Sequence, residues 1–115
     1  MSETTVIHVK DAPDGWQSDP RYVYIGRAVG RKGLRGSIWQ NKAKISPECS
    51  REESLRRFRE WLDLVALPRM QPQLEALRGK ILVCWCAPAG VSLTAAGEHL
   101  CHGQILAEAA DRECK

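Results

Sequence analysis

No run of this sequence is long and apolar enough to cross a membrane. The longest candidate, Ile81 to Val91, is broken by Pro88 and Gly90 and falls well short of the ~20 residues a spanning helix needs. The start, Met1-Ser2-Glu3-Thr4-Thr5, lacks the basic and then apolar run of a secretory signal. The chain is therefore expected in the cytoplasm, with no membrane partner. A closed set of cysteines is missing too. The five present (Cys49, Cys84, Cys86, Cys101 and Cys114) are odd in number, which argues against a disulfide framework and leaves a metal site, a reactive thiol or plain burial. There is no internal repeat, no low-complexity tract and no G-x-x-x-x-G-K-[ST] loop, so a P-loop is excluded. What remains is an ordinary composition, 43% apolar and 27% charged over 115 residues. That suits one soluble domain with one core and excludes collagen-like, coiled-coil and wholly disordered classes.

The most telling absence is of negative charge. From Arg21 to Pro47 there is no acidic residue, while Arg21, Arg27, Arg31, Lys32, Arg35, Lys42 and Lys44 are all basic. The net charge of +3 thus conceals a basic segment on a mildly acidic body. Gly26, Gly30, Gly33 and Gly36 are interleaved with these charges, and repeated glycine predicts a loop. Glycine lets backbone N–H groups approach an anion, and arginine presents a planar fork matched to phosphate. The competing reading is a mobile loop kept soluble by its charge.

Along the chain, strand and helix signals alternate. Val6 to Val9 is a strand candidate, and 11–20, with Asp, Gly and two prolines, is a loop. Tyr22-Val23-Tyr24-Ile25 is a β-branched and aromatic strand ending at Gly26. Ser50 with Glu53 makes a capping box, and Leu55, Phe58, Leu62 and Val65 follow at helical spacing until Pro68 closes the element. A short helix is predicted from Pro72 to Leu77, stopped by Gly79. Lys80 to Cys86 reads as a central strand buried on both faces. The last helix runs from Cys101 or His102 to Arg112, with Ile105, Leu106 and Ala109 inward. The predicted class is α/β: a single domain with a small, partly parallel sheet flanked by helices. Residues 1–20 supply a strand and loop to the same domain as the 21–112 core, and 113–115 form a tail.

Chemistry gathers near the end of the central strand. Cys84 and Cys86 are two apart, which in a strand turns both thiols to one face. Cys101-His102-Gly103 follows at a helix start, where positive potential favours a thiolate. Three readings compete. Cys84, Cys86, Cys101 and His102 could ligate zinc or an iron–sulfur centre. Cys101 or Cys86 could be a nucleophile with His102 or His99 as base. Or the cysteines are small core hydrophobes. Tyr24 and Trp39 are candidates for stacking a base or ribose, against the plainer alternative of packing.

The runs Val23-Tyr24-Ile25-Gly26-Arg27, Trp39 with Asn41, Cys84-Trp85-Cys86-Ala87-Pro88 and Cys101-His102-Gly103 resemble an uncharacterised domain family. It is common in bacteriophage and bacterial genomes and is catalogued only as a domain of unknown function. The resemblance spans residues 20 to 110 and implies a site built on Gly26, Arg27, Asn41, Cys84, Cys86, Pro88, Cys101 and His102. Two departures stand out. Trp39-Gln40-Asn41-Lys42-Ala43 replaces the family's W-G-N-P-F, and Ala89 to Leu100 lengthens the gap between the two cysteine motifs. The second argues against Cys86 and Cys101 meeting in space, so no structural zinc or iron–sulfur centre is expected.

The function expected is binding of a phosphate-bearing small molecule, a nucleotide first, at the strand ends that finish at Gly26 and Cys86. Arg27, Arg31 and Arg35 would hold the phosphate, while Trp39 and Asn41 would position the ligand. Cys86, Cys101 and His102 would supply any group-transfer or hydrolytic chemistry. The alternative is a non-catalytic module, zinc-stabilised or not, whose basic segment engages nucleic acid or another protein.

Overall fold

Three strands, β1 (Thr5–His8), β2 (Tyr22–Tyr24) and β3 (Ile81–Cys84), form a sheet in the order β1-β3-β2, with both pairings parallel. They come from a computed structural model of the chain, which describes residues 4–41, 46–96 and 99–113. The apolar run Ile81-Leu82-Val83-Cys84 takes the centre, and Leu82, Val83 and Cys84 are fully buried, as a strand covered on both faces requires. Val6 and Val23 lie beside Leu82 in register. An isolated antiparallel bridge joins Val6 of β1 to Leu93.

Side-chain alternation puts Val6, Val23, Ile25, Leu82 and Cys84 on one face, where they join the core beneath the helices. Helix α1 (Arg51–Trp61) starts as its sequence predicts: Ser50 Oγ accepts from the Glu53 amide at 3.2 Å. Pro68 does not close this helix. The chain widens into a π-turn over Leu62–Ala66 and runs on as α2 (Leu67–Arg69). The wider turn relieves the clash between a proline ring and the carbonyl four residues earlier. It also shifts the inward register by one residue, so Ala66 is 1% exposed while Val65, expected inside, is 40% exposed.

Helix α3 (Gln71–Glu75) leads to Gly79 at φ +75° and then to β3. Helix α4 (His102–Glu113) buries Ile105, Leu106 and Ala109 as predicted. Thr4 ties the two ends of the domain together. Its Oγ donates to Asp111 Oδ1 at 2.6 Å and accepts from the Gly79 amide at 2.9 Å.

The basic, glycine-rich segment contains a hydrogen-bonded turn in its first half. Val29 and Leu34 exchange two backbone hydrogen bonds (2.9 and 3.1 Å), and Gly33 at φ +67° closes the turn between them. Positive φ is a conformation that L side chains resist, so here glycine makes a hairpin. Lys42 and Lys44 lie outside the described residues. The radius of gyration, 13.3 Å, matches the ~13 Å of one compact domain of this length.

Candidate functional site

The carboxyl ends of the strands and the start of α4 meet at one corner. What lets them meet is Gly103. A Cβ there would lie 2.7 Å from Val6 Cγ1 and 2.9 Å from Ile25 Cδ1, so only glycine allows the first turn of α4 to rest on the sheet. The turn is capped from within. Gln104, buried, accepts from the amides of Leu100 and Cys101 through Oε1 and donates to the Thr94 carbonyl through Nε2. Cys101 Sγ accepts from the Gly103 amide at 3.4 Å. Cys101 and Gln104 thus act as a capping box, with sulfur in the place of a serine hydroxyl. Gln104 did not figure among the residues expected to matter, although its spacing from Cys101 carries that signal.

Against expectation, the longer 89–100 segment does not keep Cys86 from Cys101. Their Cα atoms are 5.4 Å apart and their sulfurs form a disulfide pair. Cys84 Sγ lies 2.9 Å from Cys101 Sγ and 3.6 Å from Cys86 Sγ. The even spacing of Cys84 and Cys86 brings both to this point, one at the end of β3 and one just beyond it. Cys84 and Cys101 are completely buried and Cys86 is half-buried. The helix-start cysteine, Cys101, is therefore as enclosed as Cys84, and Cys86 is the more accessible of the three. Burial pushes the Cys84 thiol up to about 11.

His102 is packed edge-on against Phe58, ring centroids 5.0 Å apart, and is 4% exposed. Its Nε2 lies 3.0 Å from the Ile25 carbonyl oxygen. A carbonyl only accepts, so Nε2 carries the proton and Nδ1 presents its lone pair. That lone pair is 3.3 Å from Cys86 Sγ and 3.9 Å from Cys101 Sγ. Burial first, and the nearby charge of Arg27 second among the lowering causes, hold the ring neutral, with its pKa down to about 4. His99, the other candidate base, is engaged elsewhere, between Arg59 and the Ala95 carbonyl.

The remaining expected residues divide into two groups. Gly26 is buried, and a Cβ there would stand 2.6 Å from the Tyr24 hydroxyl. The Tyr24 hydroxyl donates to the Arg27 carbonyl and accepts from Trp85 Nε1 at 2.9 Å. Trp16 and His8 add rings, 6.2 Å from Tyr24 and 5.6 Å from Trp85 respectively, and all four are half-buried. Arg27, Arg31 and Arg35 are exposed. Trp39, by contrast, is no stacking surface: it is 3% exposed and sits edge-on to Trp61 in the core. Asn41 donates from Nδ2 to Ser54 Oγ at 2.8 Å, which fixes its loop to α1. Trp85 and Trp16, which the sequence reading left out, are the tryptophans that stand beside Tyr24.

Chemically, the corner sets an imidazole acceptor beside a disulfide pair, with a third, free thiol against that pair, in a compact set of soft donors. Among the described residues, Cys84, Cys86 and Cys101 are the one group of three metal-binding side chains found, with sulfurs within 4.8 Å of one another. No helix among the described residues is long and apolar enough to cross a membrane. No curated protein and no solved structure matches the chain. One family model does, over residues 7–112, nearly the whole length, with Cys84, Cys86, Cys101 and His102 inside the match. The chain belongs to the family described as Domain of unknown function (DUF4326).

Proposed function

We propose that this domain binds a phosphate-bearing small molecule, a nucleotide first, at the carboxyl end of its sheet. The observation that carries the reading is the grouping of Tyr24, Trp85 and Trp16 with the backbone of Arg27, at the same end of the sheet as Cys86 and His102. Open parallel sheets take their ligands outside the carboxyl ends of the strands. Half-buried aromatic rings offer a base a stacking surface. Arg27, on the loop that leaves β2, supplies an exposed guanidinium at the same end, and Arg31 and Arg35 on the hairpin extend the positive field. Cys86 and His102 form the reactive corner, and a group transfer or hydrolysis on the bound ligand is the activity this supports.

Titration calorimetry with nucleoside mono-, di- and triphosphates tests the reading. Saturable binding with a preference among bases is expected. Arg27→Ala should weaken it by about 1.5–3 kcal/mol, the worth of a charge-assisted hydrogen bond. Arg21 is exposed, precedes β2 at the opposite end of the strand, and is paired with Asp19; Arg21→Ala should leave binding unchanged. Equal losses from both, with affinity falling steeply as salt rises, would favour the nucleic-acid alternative.

A further inference from the structure

We infer that Cys84, Cys86 and Cys101, completed by His102 Nδ1, bind a single Zn²⁺ ion at the carboxyl end of β3. The inference concerns the same corner as the proposed ligand site but stands on sulfur and imidazole geometry alone.

Three sulfurs from two separate stretches of chain converge within 4.8 Å. That is the scale of one ion, since two thiolates on a tetrahedral zinc, each ~2.3 Å from the metal, lie about 3.8 Å apart. The Cys84–Cys86 separation of 3.6 Å already fits. Two-electron reduction of the Cys86–Cys101 bond by a thiol or phosphine reductant yields two thiols. These lose their protons to become thiolates as the ion binds, so that Cys101 can take the same spacing. The set is too compact for a 4Fe–4S cluster, which places each cysteine on its own iron.

The second observation is His102. An almost wholly buried imidazole turns its unprotonated nitrogen to Cys86 and Cys101, while its other nitrogen donates to the Ile25 carbonyl. Ligating histidines are held in this manner by an outer partner that fixes the tautomer. The Gly103 amide directed at Cys101 Sγ is a second outer donor, one that stabilises a thiolate. Three thiolates and an imidazole are a soft tetrahedral set, which selects zinc over the hard cations. Half-buried Cys86 provides the way in. The disulfide and the zinc complex are alternative states of Cys86 and Cys101, because each consumes both sulfurs.

The test uses the full chain, with Cys114 changed to Ser, purified without chelator under a phosphine reductant. Native mass spectrometry with elemental analysis should find one zinc per chain. Added Co²⁺ should give intense sulfur-to-metal charge-transfer absorption. Zinc should shield Cys84, Cys86 and Cys101 together from iodoacetamide, with mass mapping as the readout, and stripping the zinc should expose Cys86 first. This arm needs no substitution at the site, so misfolding cannot obscure it. His102→Asn should cost more than the roughly 10–100-fold in zinc affinity typical of losing an outer partner and should change the Co²⁺ spectrum. An unchanged spectrum would overturn the place of His102 as fourth donor. Less than about a tenth of an equivalent of bound metal after zinc is supplied, where a structural site would be filled, would overturn the site itself. Nucleotide binding is measured separately, so the two readings fail independently. With zinc bound, Cys86 and His102 are ligands, and the group-transfer or hydrolytic chemistry proposed above belongs to the reduced, metal-free protein.

Discussion

At the scale of single residues, Glu53 shows how one side chain serves two neighbours. It lies in the first turn of α1, where a negative charge suits the helix N-terminus. Arg56 Nε and Arg57 Nε reach its carboxylate at 3.0 and 2.8 Å. The hydrogen bonds from Arg56 and then Arg57 pull its pKa down to about 2. A carboxylate whose pKa is depressed on folding adds stability above its unfolded pKa, and loses it as pH falls through the folded one. Stability should therefore fall between about pH 4.5 and pH 2. Urea titrations across that range should show a shallower fall for Glu53→Gln. The difference should shrink in high salt, because these pairs are exposed and screened. An identical pH profile for the variant would remove Glu53 from the account. The same scale shows what the sequence concealed. A tryptophan in a basic, glycine-rich stretch reads equally as a stacking platform or as core, and only the packing of Trp39 on Trp61 decides it.

At the scale of elements, the start of α4 does most to define the site. Gly103 permits the close approach to Val6 and Ile25 that sets Cys101 and His102 against the strand ends. Gly103→Ala should cost about 1–3 kcal/mol, the range for overpacking a filled core, read as a lower urea midpoint at unchanged slope. Unaltered stability would mean that the helix can slide without loss. Helix starts and strand cores were legible because their signals are local: Ser50 with Glu53, the unbroken 81–84 run, the inward trio on α4. The π-turn was not. It is set by how α1 meets its neighbours, and periodicity counted along the chain continued the α register to Val65 instead of Ala66. The meeting of Cys86 with Cys101 was hidden for a related reason. Segment length bounds how far two residues can separate and says little about how near they come.

At the scale of the whole molecule, the sheet depends on its last strand. β1 and β2 are not neighbours in the sheet; among the strands, each pairs with β3. A chain truncated after Lys80 keeps both outer strands, α1 and α3, yet it lacks the strand that joins them and also α4. It should show no cooperative thermal transition by circular dichroism, and a sharp one would mean that the helices form a core of their own. The α/β class followed from the alternation of elements, whereas strand order did not, since nothing local marks which strand lies in the middle. That order has a consequence for synthesis on the ribosome. Thr5 pairs with Ile81, and at ordinary translation rates roughly 4–15 s pass between the making of the two. Through that interval β1 and β2 emerge without a partner, open to pairing with other nascent chains. At four and three residues, the two early strands offer such chains little to hold.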